Sequence, residues 1–198
     1  ALARNPGDFV PYDTETAANL IASLKEIVPP YVRIQRIQRD IPKPQIIAGV
    51  MNSNLRQYAR RELKARGKKC NCINCRELWR AQIDPSTAEL KEVKYRACGG
   101  DEYFLSYESG SKLLGYLRLR LDENATVREL KVTGQAADIG KTGTGVQHMG
   151  LGSKLMKIAE DKAKAYSKIR VTHGPGTRIY YEKLGYKLQD FYMVKDLS

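Results

Sequence analysis

The chain has 198 residues, 42% of them hydrophobic and 28% charged, which excludes a disordered chain, a collagen and a coiled-coil fibre and allows one large or two small domains. No apolar run approaches the ~18–20 residues of a membrane helix, and the opening ALARNPGDF lacks the apolar core of a signal peptide. The chain therefore reads as soluble and cytoplasmic, with no membrane partner. The formal charge is +12, and it is concentrated: residues 30–80 carry 13 basic and 3 acidic side chains, while residues 1–29 carry 2 and 4. A cationic block of this kind suits a phosphate-rich partner better than uniform solubilisation does.

In chain order, Asp8 to Pro30 reads as one helix, with Leu20, Ile21, Leu24 and Ile27 at helical spacing and Pro29-Pro30 as its stop. Tyr31 to Ile37 alternates apolar and polar residues and predicts a strand closed by Pro42 and Pro44. Asn52 or Ser53 is placed to cap a helix running to Gly67. Its apolar stripe is Leu55, Tyr58, Ala59 and Leu63, and Arg56, Arg60 and Lys64 line the other face. With Arg33, Arg36, Arg39 and Arg61 these arginines form a dense basic region, read as a nucleic-acid contact.

Cys70, Cys72 and Cys75 follow, as C-x-C-x2-C, and Cys98 stands before Gly99-Gly100. Thiols this close suit a metal better than paired disulfides. Zinc takes four thiolates in a tetrahedron, and Cys98 is the expected fourth ligand. Reduced, unligated thiols and an iron–sulfur cluster are the other readings. The spacing is not the CxxxCxxC of a radical SAM cluster.

Beyond the cysteines the texture changes. Residues 102–108 and 112–121 read as two strands joined by a turn at Ser109-Gly110-Ser111, and 127–133 as a third. A stretch with four glycines, Gly134 to Val146, is read as flexible. Leu151 to Tyr166 is an amphipathic helix, followed by a strand at 169–172, a short helix at 177–184 and closing strands at 186–188 and 191–195.

The helix at Leu151 is entered by Gln147-His148-Met149-Gly150-Leu151-Gly152. Q-x-x-G-x-G leaves backbone N–H groups facing outward at a helix N-terminus, where the macrodipole favours anions and glycine permits close approach. Neither the dinucleotide G-x-G-x-x-G nor the Gly-Lys-Ser/Thr of a nucleotide-triphosphate loop is present. With the later Y-E-K-L-G-Y, residues 181–186, this turn resembles the GNAT family of acetyl-CoA-dependent acyltransferases. The resemblance implies that the Q-x-x-G-x-G amides bind the CoA pyrophosphate beside a splay between two central parallel strands. It implies that Tyr181, near the CoA sulfur, acts as general acid, with Tyr180 and His148 in the same catalytic set. Leu130, Val132, Gln147, His148, Met149, Gly150, Leu151, Gly152, Ser153, Thr172, His173, Gly174 and Tyr181 are its implied acetyl-CoA contacts. Thr172-His173-Gly174-Pro175-Gly176 stands where the family has Ser-Gly-x-Gly, so His173 departs from the usual small residue.

Four segments narrow the resemblance: RIQRIQRDIP (33–42), NLRQYARRELKARG (54–67), CNCINCRE (70–77) and RIYYEKLGY with YMVK (178–195). In this order they resemble the C-terminal part of the Elongator catalytic-subunit family, the tRNA uridine acetyltransferases. The implied fold is α/β (α+β): elements of a radical SAM domain at 1–60, a zinc-binding linker at 61–100 and a GNAT domain with a mixed central sheet at 101–198. The implied activity is formation of 5-carboxymethyluridine at wobble uridine 34, with acetyl-CoA as acyl donor. A [4Fe-4S] cluster and S-adenosylmethionine belong to the N-terminal radical SAM domain, which these residues do not include. The implied partner is the tRNA anticodon stem-loop, with Arg33, Arg36, Arg39, Arg56, Arg60 and Arg61 on its phosphates. Two other readings stand beside this one. A protein lysine acetyltransferase would use Glu129 as general base, and a non-catalytic RNA- and zinc-binding module would keep only a vestigial CoA pocket.

Overall fold

A helix needs acceptors for its first N–H groups, and Asp13 supplies one: its Oδ1 accepts from Thr16 N at 2.7 Å, opening α1 (Thr14–Ile27). In this computed structural model, which describes residues 10–78, 83–133 and 150–197, the chain divides between Cys75 and Arg76 into two compact units. The first holds α1 and α2 (Leu55–Ala65). The buried face of α1 is Ala17, Ala18, Ala22 and Lys25, not the expected Leu20/Leu24/Ile27 stripe, which is exposed. Small side chains let α1 approach Leu55 closely, with Ile21, Ile37, Val50 and Tyr58 packed around the contact. Arg66 then ties the two helices by polar bonds, to Glu62 on α2 and to Glu26, Ser23 and Asn19 on α1.

No strand forms at residues 31–37. A strand needs a neighbour for its backbone groups, and all strands among the described residues lie between Glu89 and Asp196. The Val32 carbonyl instead accepts from Ile73 N at 2.9 Å, which docks the cysteine turn and α3 (Ile73–Arg76) on this segment.

The second unit is a seven-stranded mixed sheet ordered β1-β2-β3-β4-β5-β7-β6. Its strands are β1 (Glu89–Ala97), β2 (Gly100–Ser109), β3 (Lys112–Leu121), β4 (Ala125–Val132), β5 (Lys168–Thr172), β6 (Lys187–Gln189) and β7 (Tyr192–Asp196). The expected strands are present. β1 was not anticipated and puts sheet structure inside the expected 61–100 linker, because its charged residues Glu89, Lys91, Glu92 and Lys94 sit on an exposed edge and mask the period. α4 (Leu151–Lys162) and α5 (Arg178–Lys183) complete the unit. Leu155, Met156 and Ala159 of α4 pack on Leu105, Leu117, Leu119, Val127, Ile169 and Val171, the alternate residues that share one face of the pleat.

Every neighbouring pair in this sheet is antiparallel except β4 and β5. That parallel pairing covers only Ala125, Thr126 and Val127 against Ile169, Arg170 and Val171. Just beyond it, β4 carries a bulge: Arg118 faces Glu129 and Leu119 faces Val127, leaving Arg128 without an opposite residue. A bulge adds local twist, and past it the β5 side of β4 has no strand partner among the described residues.

Candidate active site

The opening between β4 and β5 is the natural place for a ligand, since a sheet leaves backbone donors and acceptors free only where pairing stops. Leu130 and Val132 lie on the unpaired part of β4. Leu130 packs on the main core. Val132 packs with Leu114 and Leu151, which hold the first turn of α4 against the sheet. The N-cap of α4 is Gly150, at φ +64°, and among the described residues no side chain caps it. That left-handed geometry favours glycine. The helix therefore presents uncapped N–H groups and the positive end of its dipole.

Gly152, in the same turn, has a second reason to be glycine. A Cβ there would stand 2.7 Å from the Tyr180 hydroxyl and 3.7 Å from Val132 Cγ2. Burial pushes the Tyr180 hydroxyl up, and its hydrogen bond with Ser153 opposes this. Tyr180 is thus seated on the turn by Ser153. Its ring meets Tyr181 edge-on at 5.1 Å between centroids. Tyr181 meets Tyr186 in the same way at 6.0 Å. Tyr181 is 5% exposed, and burial, with the neighbouring Tyr180, pushes its hydroxyl up to about 12. A phenol in that range keeps its proton through neutral pH and can donate it.

Sequence reasoning missed what holds the far end of this row. The Tyr186 hydroxyl donates to Glu160 Oε1 at 2.8 Å, and Lys195 Nζ donates to both Glu160 oxygens at 3.0 Å. Tyr180 and Tyr186 therefore tie α5 and the chain after it to α4 at Ser153 and Glu160, with Tyr181 between them. Seven residues separate these anchors, two turns of helix on one face, and that spacing is the only signal the sequence offered.

The remaining expected contacts are dispersed. Thr172 ends β5 opposite Tyr192. His173 is half-buried on the next segment with Nδ1 3.1 Å from the Gly174 carbonyl, and that carbonyl accepts from Thr177 Oγ1. Gln147, His148 and Met149 lie outside the described residues. Glu129, the candidate base of a lysine acetyltransferase, is occupied: it accepts from the Tyr116 hydroxyl and from Arg118 Nε at 2.9 Å.

In the first unit the structure brings Cys70, Cys72 and Cys75 together, their sulfurs within 4.8 Å of one another. Tetrahedral zinc, with Zn–S of ~2.3 Å, sets sulfurs about 3.8 Å apart, so the three thiols fit such an ion. Contact with Cys72 and Cys75 pushes the Cys70 thiol up, and contact with Cys70 and Cys75 pulls Cys72 down. Crowded thiols ionise at one another's expense unless a cation joins them. Lys25 Nζ, wholly buried, stands 3.6 Å from Cys75 Sγ. A lysine in a helix reads as solvated, and nothing in the sequence marked this one. Cys98 belongs to the second unit. It occupies the β1–β2 turn of the second unit at φ +47°, where its carbonyl accepts from Arg120. The tight turn that Gly99 permits serves this hairpin.

The basic residues are not equivalent. Arg39, Arg60 and Arg61 are exposed, and Arg61 lies over the Tyr58 ring at 4.9 Å. Arg36 makes a 3.8 Å ion pair with Asp40, both exposed. Arg33 is half-buried. Arg56 turns inward and donates to the Gln35 carbonyl at 2.8 Å, which removes it from the solvated face that its helical position predicts.

Residues 73–186, more than half of the chain, match the acetyltransferase (GNAT) family. The chain belongs to the GNAT family. Residues 4–65 of this GNAT protein match the radical SAM C-terminal domain. It is 41% identical to the tRNA uridine(34) acetyltransferase of Dehalococcoides mccartyi over 97% of its own length and 46% of that protein. It is 40% identical to the Methanocaldococcus infernus protein of the same name (96% and 40%) and 39% identical to human Elongator complex protein 3 (97% and 39%). Among solved structures, archaeal Methanocaldococcus infernus Elp3 with an N-terminal deletion matches with a TM-score of 0.86 at 40% identity, covering 97% of this chain and 50% of that one. The chain thus spans less than half the length of these curated relatives. The mixed fold expected from the sequence is the one observed, with radical SAM C-terminal and GNAT parts in that order. No helix among the described residues is long and apolar enough to cross a membrane.

Proposed function

We propose that this chain is the acetyl-CoA-binding and acetyl-CoA-hydrolysing part of a cytoplasmic enzyme that converts wobble uridine 34 of tRNA to 5-carboxymethyluridine. The observation that carries the reading is the meeting of three features: the unpaired edge of β4, the uncapped N-terminus of α4 and the buried Tyr181 beside them. The pyrophosphate of acetyl-CoA binds at the N–H groups of Leu151, Gly152 and Ser153, with Gln147, His148, Met149 and Gly150 completing the turn. The amide-bearing pantetheine arm adds to the free edge of β4 at Leu130 and Val132, reaching toward Thr172, His173 and Gly174. Water attacks the thioester carbonyl and the C–S bond breaks; the Tyr181 hydroxyl gives its proton to the leaving thiolate and regains one of the water's protons while the other passes to solvent, releasing acetate and CoA. Tyr180, held by Ser153, fixes Tyr181 in place.

Cys70, Cys72 and Cys75 hold a structural zinc ion, and Arg33, Arg36, Arg39, Arg60 and Arg61 bind tRNA near its anticodon stem-loop through the phosphates. The iron–sulfur cluster and S-adenosylmethionine that radical chemistry at C5 requires are held by residues outside this sequence. The test is acetyl-CoA hydrolysis with and without tRNA. Stimulation by tRNA is expected, and Tyr181→Phe lowers kcat about a hundredfold, within the range of general acid catalysis. A folded Tyr181→Phe protein with undiminished rate overturns the role of Tyr181. Transfer of acetyl to lysine peptides faster than tRNA-stimulated hydrolysis overturns the substrate.

A further inference from the structure

Lys25 is the only buried lysine among the described residues, at 1% exposure. It lies on the inward face of α1 with Ala17, Ala18 and Ala22. Its Nζ stands 3.6 Å from Cys75 Sγ, within hydrogen-bond reach of a sulfur acceptor, and the two residues are 50 apart in the chain. Lys68 and Lys69, next to the cysteines in sequence, are exposed. A lysine stem is long enough to carry its ammonium back to water, and a charge that stays buried needs an anion beside it. Among the described residues Lys25 forms no ion pair with a carboxylate; its polar partner is the Cys75 sulfur.

A neutral thiol is only a weak acceptor, whereas a thiolate is an anion. The other two sulfurs also have donors: the Cys72 backbone N–H bonds to Cys70, and the backbone N–H groups of Cys75 and Ile34 bond to Cys72. Each sulfur of the cluster therefore meets an N–H group, an arrangement that suits thiolates held by a metal. Charge counting agrees. Three thiolates and a divalent cation sum to one negative charge, and one buried ammonium balances it.

We infer that Lys25 is a positioning residue of the three-cysteine metal site: its ammonium donates to the metal-bound Cys75 thiolate, balances the charge of the loaded site and ties α1 to the cysteine turn. This inference rests on the zinc reading above and adds a residue to it. A hydrogen bond of this kind lowers the energy of the sulfur electrons, so it tunes the metal as well as holding it.

The test loads the full chain and its Lys25→Met variant with zinc and, separately, with cobalt(II). Methionine keeps the length and the apolar stem of lysine and removes the charge. The variant is expected to bind zinc about 10–100-fold more weakly in competition with a chelator, the usual cost of losing an outer partner of a metal ligand. Its sulfur-to-cobalt charge-transfer band moves to lower energy. Unchanged affinity overturns the inference. Weaker affinity with an unmoved band also overturns it, since packing alone then accounts for the loss. A measurement on the unmodified chain decides the matter even where Lys25→Met does not fold. Loaded with cadmium-113, the chain should show Lys25 by NMR as an ammonium protected from exchange, its protons coupled to the metal through the sulfur. Free exchange of those protons with water overturns the inference, and so does direct coupling of the metal to the Lys25 nitrogen, which makes the amine a ligand. Failure of the unmodified chain to bind any of these ions overturns the zinc reading together with it.

Discussion

The second unit buries Leu105, Leu117, Leu119, Leu155, Ile169 and Val171 with no exposure at all, whereas α1 in the first unit buries three alanines and a lysine. Branched and long aliphatic side chains remove far more apolar area than alanine, so the sheet unit is held by its core. The helical unit compensates with polar bonds. Arg66 spans α1 and α2, and three thiols gather beside buried Lys25. Small cores commonly need such staples. The contrast teaches that the two units answer to different perturbations, a cavity for one and a lost cross-link for the other.

The sharpest way to break the comparison is through the thiols. Cys72→Ala, or a strong chelator, is expected to abolish metal binding and the helical order of the first unit, because metal-binding free energy is folding free energy in a domain of this kind. Metal analysis and amide hydrogen exchange check it, and protection of β2, β3 and β4 should persist. If the first unit keeps its protection, it is held by its alanine contacts after all.

In the second unit the corresponding weak point is a buried ion pair. Arg76 Nη1 donates to Glu108 Oε1, and both are nearly unexposed. Burial raises the Glu108 carboxyl, and bonds from Arg76 and Ser106 outweigh this and hold it below the usual carboxylate range. Arg76→Met removes the buried partner of that carboxylate, leaving it Ser106 and the half-exposed Lys91, and should cost about 3–5 kcal/mol in chemical unfolding. A cost near zero would show that Lys91, 3.4 Å from Oε2, suffices.

A smaller effect separates the units by pH. The native Tyr181 hydroxyl stands at about 12 against an ordinary 10. Burial and Glu160 push Tyr186 up as well. The stability these two contribute is complete below pH 10 and is lost as pH rises from 10 toward 12, since the unfolded chain ionises first. Thermal melts followed by circular dichroism should show this alkaline loss in the second unit, and Tyr186→Phe should flatten it.

The smallest expected effect tests the exposed stripe of α1. Leu24 is 51% exposed and Leu155 fully buried. Leu24→Ala should stay within about 0.5 kcal/mol, and Leu155→Ala should cost about 2–5 kcal/mol. Equal costs would mean that the leucine stripe of α1, and not its alanine face, is the core of the first unit.

Much of the fold was legible in local pattern. Leu117, Leu119 and Leu121 alternate with Arg118 and Arg120, which announces β3. The spacing of Leu151, Leu155, Met156 and Ala159 announces α4. The glycines at 150 and 152 announce the turn that enters α4. The errors arose where a local period had no tertiary partner. Tyr31 to Ile37 alternates like a strand yet has no neighbour to pair with. The leucines of α1 have helical spacing, but the alanines allow the closer helix–helix approach.

By itself, the sequence determined the class of each element, the cationic block at 30–80, the three-cysteine cluster and the glycine turn, because periodicity, charge and short-range spacing are properties of neighbouring residues. Tertiary structure decided the rest. The divergence of β4 from β5 depends on where pairing stops. The placement of Tyr181 depends on two anchors on α4. The approach of Lys25 to Cys75, and the inward turn of Arg56 onto the Gln35 carbonyl, depend on groups many residues apart. These are non-local facts: hydrogen-bond partners and burial are set by packing, and packing is written in no single stretch of chain.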